Sequence, residues 1–203
     1  PGRAAAALAA APRQGRCCGH RATAFVQPRV REAMALSFDI ASVSSAKVRR
    51  LHAHWEQVRG ARLMPARADV DPSAIKPLLP NLVIADVFYD PLRVRYRLVG
   101  TSVVEHSRFD FTGKWLHEVD FGEPQDWIAL YEIFVREKRP LFDRSEISFE
   151  DEIRPPQPYE FCMLPLSADG TTVTGMISLE DYGVLTPLER ERVGKVRTKK
   201  GPG

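Results

Sequence analysis

A chain of 203 residues, 44% hydrophobic and 27% charged, has enough apolar surface for one substantial core, a domain of roughly 100 to 150 residues plus extensions. Its formal charge of +3 is concentrated at the ends: residues 1–33 hold six Arg against Glu32, and the remainder sums to −2, which argues against a broad nucleic-acid-binding face. Three Cys without CxxC or Cys/His spacing support neither a disulfide framework nor a zinc site and fit a reducing, cytoplasmic compartment, and no apolar run approaches the ~20 residues of a membrane-spanning helix.

Taken in chain order, residues 1–43 read as an extension. The first 33, PGRAAAALAAAPRQGRCCGHRATAFVQPRVREA, are poor in large apolar residues and are expected to be unstructured or non-native, with Met34 as the candidate start. From Ser44 or Ser45, Val48, Leu51, His52, Trp55 and Val58 recur at helical spacing up to Gly60, giving an amphipathic helix within 44–62. Its apolar stripe either packs on the domain or forms a homodimer seam through Trp55.

The domain proper is expected over 63–183. It opens on LMPARADVDPSAIKPLLPNL, where Asp71 caps and Pro72 begins a single helical turn that Pro77 and Pro80 keep short. Arg67, Asp69 and Asp71 read either as ties within this stiff connector or as an acid–base group.

Residues 82–101, LVIADVFYDPLRVRYRLVGT, form a β-hairpin about Asp90-Pro91. The first arm, apolar almost throughout, is the more central strand. On the second, Val94, Tyr96 and Leu98 alternate with Arg93, Arg95 and Arg97, as in a strand with one buried and one solvated face. Gly100 ends the pattern, and Thr101 caps a short helix, TSVVEHSR.

In FDFTGKWLH, Thr112-Gly113 marks a turn whose aromatics Phe109, Phe111 and Trp115 fold back onto the core. Glu123-Pro124 starts the longest helix, with Trp127, Ile128, Leu130, Tyr131, Phe134 and Val135 on its apolar face, and Arg139-Pro140 ends it. Three strands follow: LFDRSEISFED, with Ser145, Ile147 and Phe149 alternating against Arg144, Glu146 and Ser148; PYEFCMLPLSADG, where Pro165 marks an edge or bulge; and TTVTGMISLEDY, beyond a turn at Asp169-Gly170. Residues 184–203 read as a final helix from Thr186-Pro187 and a basic tail.

The fold class is therefore α+β: a five-stranded antiparallel sheet, split by a helical insert that covers one face and preceded by an N-terminal helix. In order, PARADVDPSAIKPLLPNLVIADV, RVRYRLVGT, DFTGKWL and LPLSADG resemble the successive motifs of a small bacterial PAS-domain family over roughly 47–182. The motif positions are Arg67, Asp71, Pro72, Arg97, Gly100, Thr101, Thr112 and Gly113. The resemblance implies a sensory or protein-interaction module whose sheet and helices enclose a pocket for a small ligand.

The inward set read from the residues is Val94, Tyr96, Leu98, Phe109, Trp115, Tyr131, Phe134, Ile147, Phe149, Phe161 and Met163, each either plain core or ligand contact. Haem is disfavoured, since residues 123–138 contain no His and His106 and His117 precede them; a flavin adduct is disfavoured because Asn-Cys-Arg-Phe is absent and Cys162 sits among apolar neighbours. No cofactor, metal or catalytic residue is expected. With about twenty residues after Tyr182, output is expected to run through a protein partner. The competing class is a small isomerase- or dehydratase-like enzyme using Asp143 or Glu160, both expected near strand ends where solvation is cheap; a third is a structural dimerisation module.

Overall fold

The structure, a computed structural model, describes residues 28–30, 36–107, 109–119, 124–149 and 157–183. One antiparallel sheet contains β1 (Pro28–Val30), β2 (Leu82–Phe88), β3 (Arg93–Val99), β4 (Leu141–Phe149), β5 (Gln157–Leu166) and β6 (Gly175–Asp181), in the order β1-β4-β5-β6-β2-β3. The helices are α1 (Ala46–Arg59), α2 (Thr101–Ser107) and α3 (Pro124–Glu137). All five expected strands form, and the helical insert separates the first two from the last three. Because β6 lies between β2 and β5, both halves of the chain share one layer.

The short sixth strand, β1, is a correction. It pairs with β4 through Arg29↔Ser148 and Val30↔Ile147, inside the stretch expected to be unstructured. Ser37 likewise exchanges backbone hydrogen bonds of 2.8 and 2.7 Å with Phe142, and Val43 is buried. Edge pairing of this kind uses main-chain groups and needs no apolar pattern, so composition does not announce it. Residues 1–27, 31–35 and 184–203, with Cys17, Cys18, Met34 and the expected final helix and basic tail, lie outside the described residues.

Helix α1 begins and ends as its sequence dictates. Ser45 Oγ accepts from Val48 N at 3.2 Å, and Gly60, at φ 56°, closes the C-terminus. Val48, Leu51 and Trp55 are buried on the outer face of β5 and β6, and Trp55 Nε1 donates to Pro165 O at 2.9 Å. The chain's own sheet thus occupies the stripe considered as a dimer seam. Pro165 sits two residues past Met163, the last partner of β4, where β5 keeps only β6 as its neighbour, so its missing N–H costs no ladder bond.

The connector departs from expectation in one respect. Asp71 accepts from Ser73 N at 2.8 Å, as a cap should, but beyond Ile75 the chain continues as a 3-10 helix over Lys76–Asn81 despite Pro77 and Pro80. The tighter i→i+3 winding allows what an α-helix would not. Gly100 packs against this segment: a Cβ there would lie 2.3 Å from Pro80 O and 2.6 Å from Leu79 O. Thr101 is the first helical residue rather than the cap, and Gly100 O accepts the first helical bond, from Val104 N.

The hairpin β2–β3 turns at Tyr89–Leu92, with a cis Asp90–Pro91 peptide. Val94 and Tyr96 are buried as expected, but Leu98 is exposed. The register steps from Ala85↔Tyr96 to Ile84↔Leu98, leaving Arg97 as an extra residue. A bulge of this kind slips the alternation by one and turns Leu98 to solvent.

Candidate functional site

The strand register divides the side chains of the sheet into two faces. Asp143↔Phe161↔Glu180 and Leu141↔Met163↔Ser178 lie on the inner face, whereas Arg144↔Glu160↔Asp181 and Phe142↔Cys162↔Leu179 lie on the outer face beneath α1. α3 brings Tyr131 and Phe134 onto the inner face; α2 brings His106, and the loop before α3 brings Phe111.

The inner face holds a cluster of polar side chains. Tyr96 Oη and Tyr131 Oη are 3.4 Å apart. Tyr182 Oη donates a short hydrogen bond to Glu180 Oε2, and Tyr159 bonds the same carboxyl. The Tyr159 and Tyr182 ring centroids are 5.1 Å apart, and His106 stacks on Tyr182 at 4.0 Å and 6°, with Nδ1 2.7 Å from Ser102 O. Asp143, on the row of Glu180, is 0% exposed and electrostatically coupled to Tyr159. Four of the chain's five tyrosines take part.

Desolvation sets the protonation of this group. Burial pushes the hydroxyls of Tyr96, Tyr159 and Tyr182 far above the ordinary tyrosine range and raises Tyr131 too, so all four are neutral donors. Burial also raises the Glu180 carboxyl, while the bonds from Tyr182 and Tyr159 pull it partly back. A carboxyl raised on folding favours the native state below the ordinary glutamate range; that stability declines as pH rises toward the folded value and is level above it. Glu180→Gln is therefore expected to melt higher than the parent at pH 7 and equally at pH 4, by circular dichroism. A parent advantage at pH 7 would contradict a raised carboxyl.

The sequence candidates divide accordingly. Tyr96, Tyr131, Phe134, Phe161 and Met163 are buried together on the inner face, with Phe109 partly buried beside them. Leu98 and Trp115 are corrections. Leu98 leaves through the bulge, and Trp115 lies on the opposite side, its ring centroid 5.1 and 5.6 Å from the guanidinium carbons of Arg93 and Arg95. Phe111 takes the inward place expected of Trp115, 4.8 Å edge-on from Tyr96. The turn at Gly113, φ 83°, accounts for the exchange by reversing the chain between them. Ile128 is exposed rather than part of the α3 apolar face. The side chains of Ile147 and Phe149 lie outside the described residues.

Neither enzyme candidate is at a solvated strand end. Asp143 is fully buried, and Glu160 is 6% exposed, because β4 and β5 are covered on both faces there. Glu160 is used structurally: its carboxylate accepts from Ser44 N, Ser45 N and Ser44 Oγ at 2.6–2.7 Å, with Arg144 at 3.4 Å. A carboxylate on the leading amides of a helix is a favourable cap. Asp181 continues it, accepting from Ser45 Oγ at 2.6 Å and Lys47 Nζ at 2.8 Å. Cys162 lies on this outer face, its thiol pushed up to about 12 by burial, an inert packing group.

Several of the motif residues make contacts within the fold. Arg67 and Arg97 both pair with Asp86, Arg67 at 3.2 Å, fastening the connector to the hairpin. Asp69 accepts from Ala66 N at 2.7 Å and pairs with Arg62. Thr112 N donates to Asp110 Oδ1 at 2.8 Å as the turn enters Gly113. Sequence reasoning missed Glu180, Tyr159, Tyr182 and His106 as site members. Period-two alternation of Met176, Ser178, Glu180 and Tyr182 marks them as one face, but Ile177 and Leu179 are more apolar, and nothing local tells which face meets the insert.

A PAS-domain family model matches residues 43–178, more than half of the chain. The chain belongs to the PAS-domain family, and at that level it is a sensory or regulatory signalling module. No curated protein matches it. Among the described residues, no group of three or more His, Cys, Asp or Glu side chains is placed to hold a metal ion, and no helix is long and apolar enough to cross a membrane.

Proposed function

We propose that this chain is a cytoplasmic, non-catalytic sensor that receives a small polar ligand on the inner sheet face and reports its occupancy to a protein partner. The observation that carries the reading is the Tyr96–Tyr131–Tyr159–Tyr182–Glu180–Asp143 group. Burying polar and ionisable groups costs stability that an apolar core would avoid, and such groups concentrate where a site must recognise something. Haem and flavin are not part of the proposal.

A route outward is available. On β5 and β6 the inner residues Tyr159 and Glu180 alternate with the outer residues Glu160 and Asp181, which hold the N-terminus of α1. A shift of these strand ends on ligand binding would displace the helix anchors with them. Native mass spectrometry of the full chain, freshly purified, tests the ligand. The expected result is a retained small molecule, lost from Tyr131→Phe and Glu180→Gln chains of parental fold. An unliganded parent that also melts unchanged with a panel of small amines, amino acids and hydroxy acids at millimolar concentration would overturn it.

A carboxylate near tyrosine hydroxyls, fully buried at Asp143 and partly buried at Glu180, also favours a second reading, proton-transfer catalysis at either residue. Turnover of any panel compound, abolished by Asp143→Asn, would replace the sensor reading.

A further inference from the structure

Among the described residues, α1 covers the outer face over β5 and β6, whereas β3 meets the segment 115–118 instead. On this half Arg93 and Arg97 are exposed, and the guanidinium groups of Arg93 and Arg95 both lie over the Trp115 ring, at 5.1 and 5.6 Å from its centroid. Phe88, 37% exposed, lies 5.4 Å from the indole, and the bulge adds Leu98, also 37% exposed. With Arg67, four arginines gather around Asp86 and Trp115.

We propose that this surface docks an acidic segment of a partner protein, its carboxylates on Arg93 and Arg97 and an apolar side chain over Phe88 and Leu98. Alternate strand positions are about 6.8 Å apart, so Arg93, Arg95 and Arg97 form a strip about 13 Å long whose charge Asp86 only partly offsets. A stacked guanidinium is orientationally restrained, and its in-plane N–H donors suit a carboxylate. Arginine and aromatic side chains together are also what well-bound protein interfaces concentrate. Single-stranded nucleic acid, which needs an aromatic face for a base, is the competing occupant that the oligothymidylate arm of the test addresses.

The proposal deepens the regulatory reading by naming the chemistry of the partner. It uses the surface opposite the inner-face group, so the two fail separately: retained ligand without peptide binding sinks only this one. The probe is a fluorescein-labelled decapeptide of alternating Glu and Leu, followed by anisotropy on the full chain, beside a Lys/Leu decapeptide and a ten-residue oligothymidylate.

The acidic peptide alone is expected to bind, several-fold more weakly in 0.5 M salt. Affinity should fall about tenfold in Arg93→Ala/Arg97→Ala and recover in part in Arg93→Lys/Arg97→Lys, with melting temperature as the check on folding. No acidic-peptide binding at millimolar concentration, an unchanged double-alanine variant, or tighter oligothymidylate binding would overturn the proposal. Parental self-association lost in the double-alanine variant would assign the patch to a second copy and overturn it equally.

Discussion

Trp55→Ala is expected to lower the melting temperature by about 10 °C while leaving the subunit count unchanged. The indole is 2% exposed between α1 and the outer face of β5, and its N–H is bonded to Pro165 O. Truncating a buried Trp costs about 3–5 kcal/mol through lost transfer energy and the cavity left behind. The orphaned carbonyl adds to this, and in a chain of this size each kcal/mol is worth about 2–4 °C. Trp55→Phe, which keeps a ring but loses the donor, should fall between. Thermal melts with sedimentation equilibrium separate the two roles of the stripe: a variant that melts like the parent but dissociates would show that Trp55 serves a dimer seam instead.

The second large effect is expected at Gly100. A Cβ there would meet Pro80 O at 2.3 Å and Leu79 O at 2.6 Å, and these are backbone oxygens of a proline-stiffened 3-10 segment that cannot rotate aside. Relieving the overlap requires α2 and the connector to separate, at a cost of about 3 kcal/mol. Gly113→Ala provides the comparison. At φ 83° with nothing within 4 Å of the added methyl, it faces only the left-handed backbone penalty of about 1 kcal/mol. Urea denaturation should therefore rank Gly100→Ala well below Gly113→Ala, and the reverse order would contradict overlap with Leu79 O and Pro80 O as the dominant cost.

These two sites illustrate how differently parts of the chain could be read. The Trp55 helix is legible because a Ser cap, helical apolar spacing and a terminal Gly are local features, but the surface that takes its stripe belongs to strands more than a hundred residues away. Gly100 reads as the end of a strand, whereas its close approach to Pro80 exists only once the hairpin returns to the connector. Leu98 was misplaced because one extra residue in a ladder leaves no mark on an alternating pattern. Trp115 departs from expectation because an aromatic covered by two arginines looks, in sequence, like an aromatic bound for the core.

By itself the sequence determined the five main strands and the three α-helices in their order, the two hairpin turns, the single α+β layer with a helical insert and the family, since capping, proline placement and apolar period act over a few residues. Which face of β5 and β6 would carry Glu180, Tyr159 and Tyr182 to the insert, and which would carry Glu160 and Asp181 to α1, was decided by the tertiary structure. Both faces are covered, so apolar content is high on each and alternation loses its meaning as inside and outside; only the pairing of distant strands assigns the polar side chains to one layer or the other.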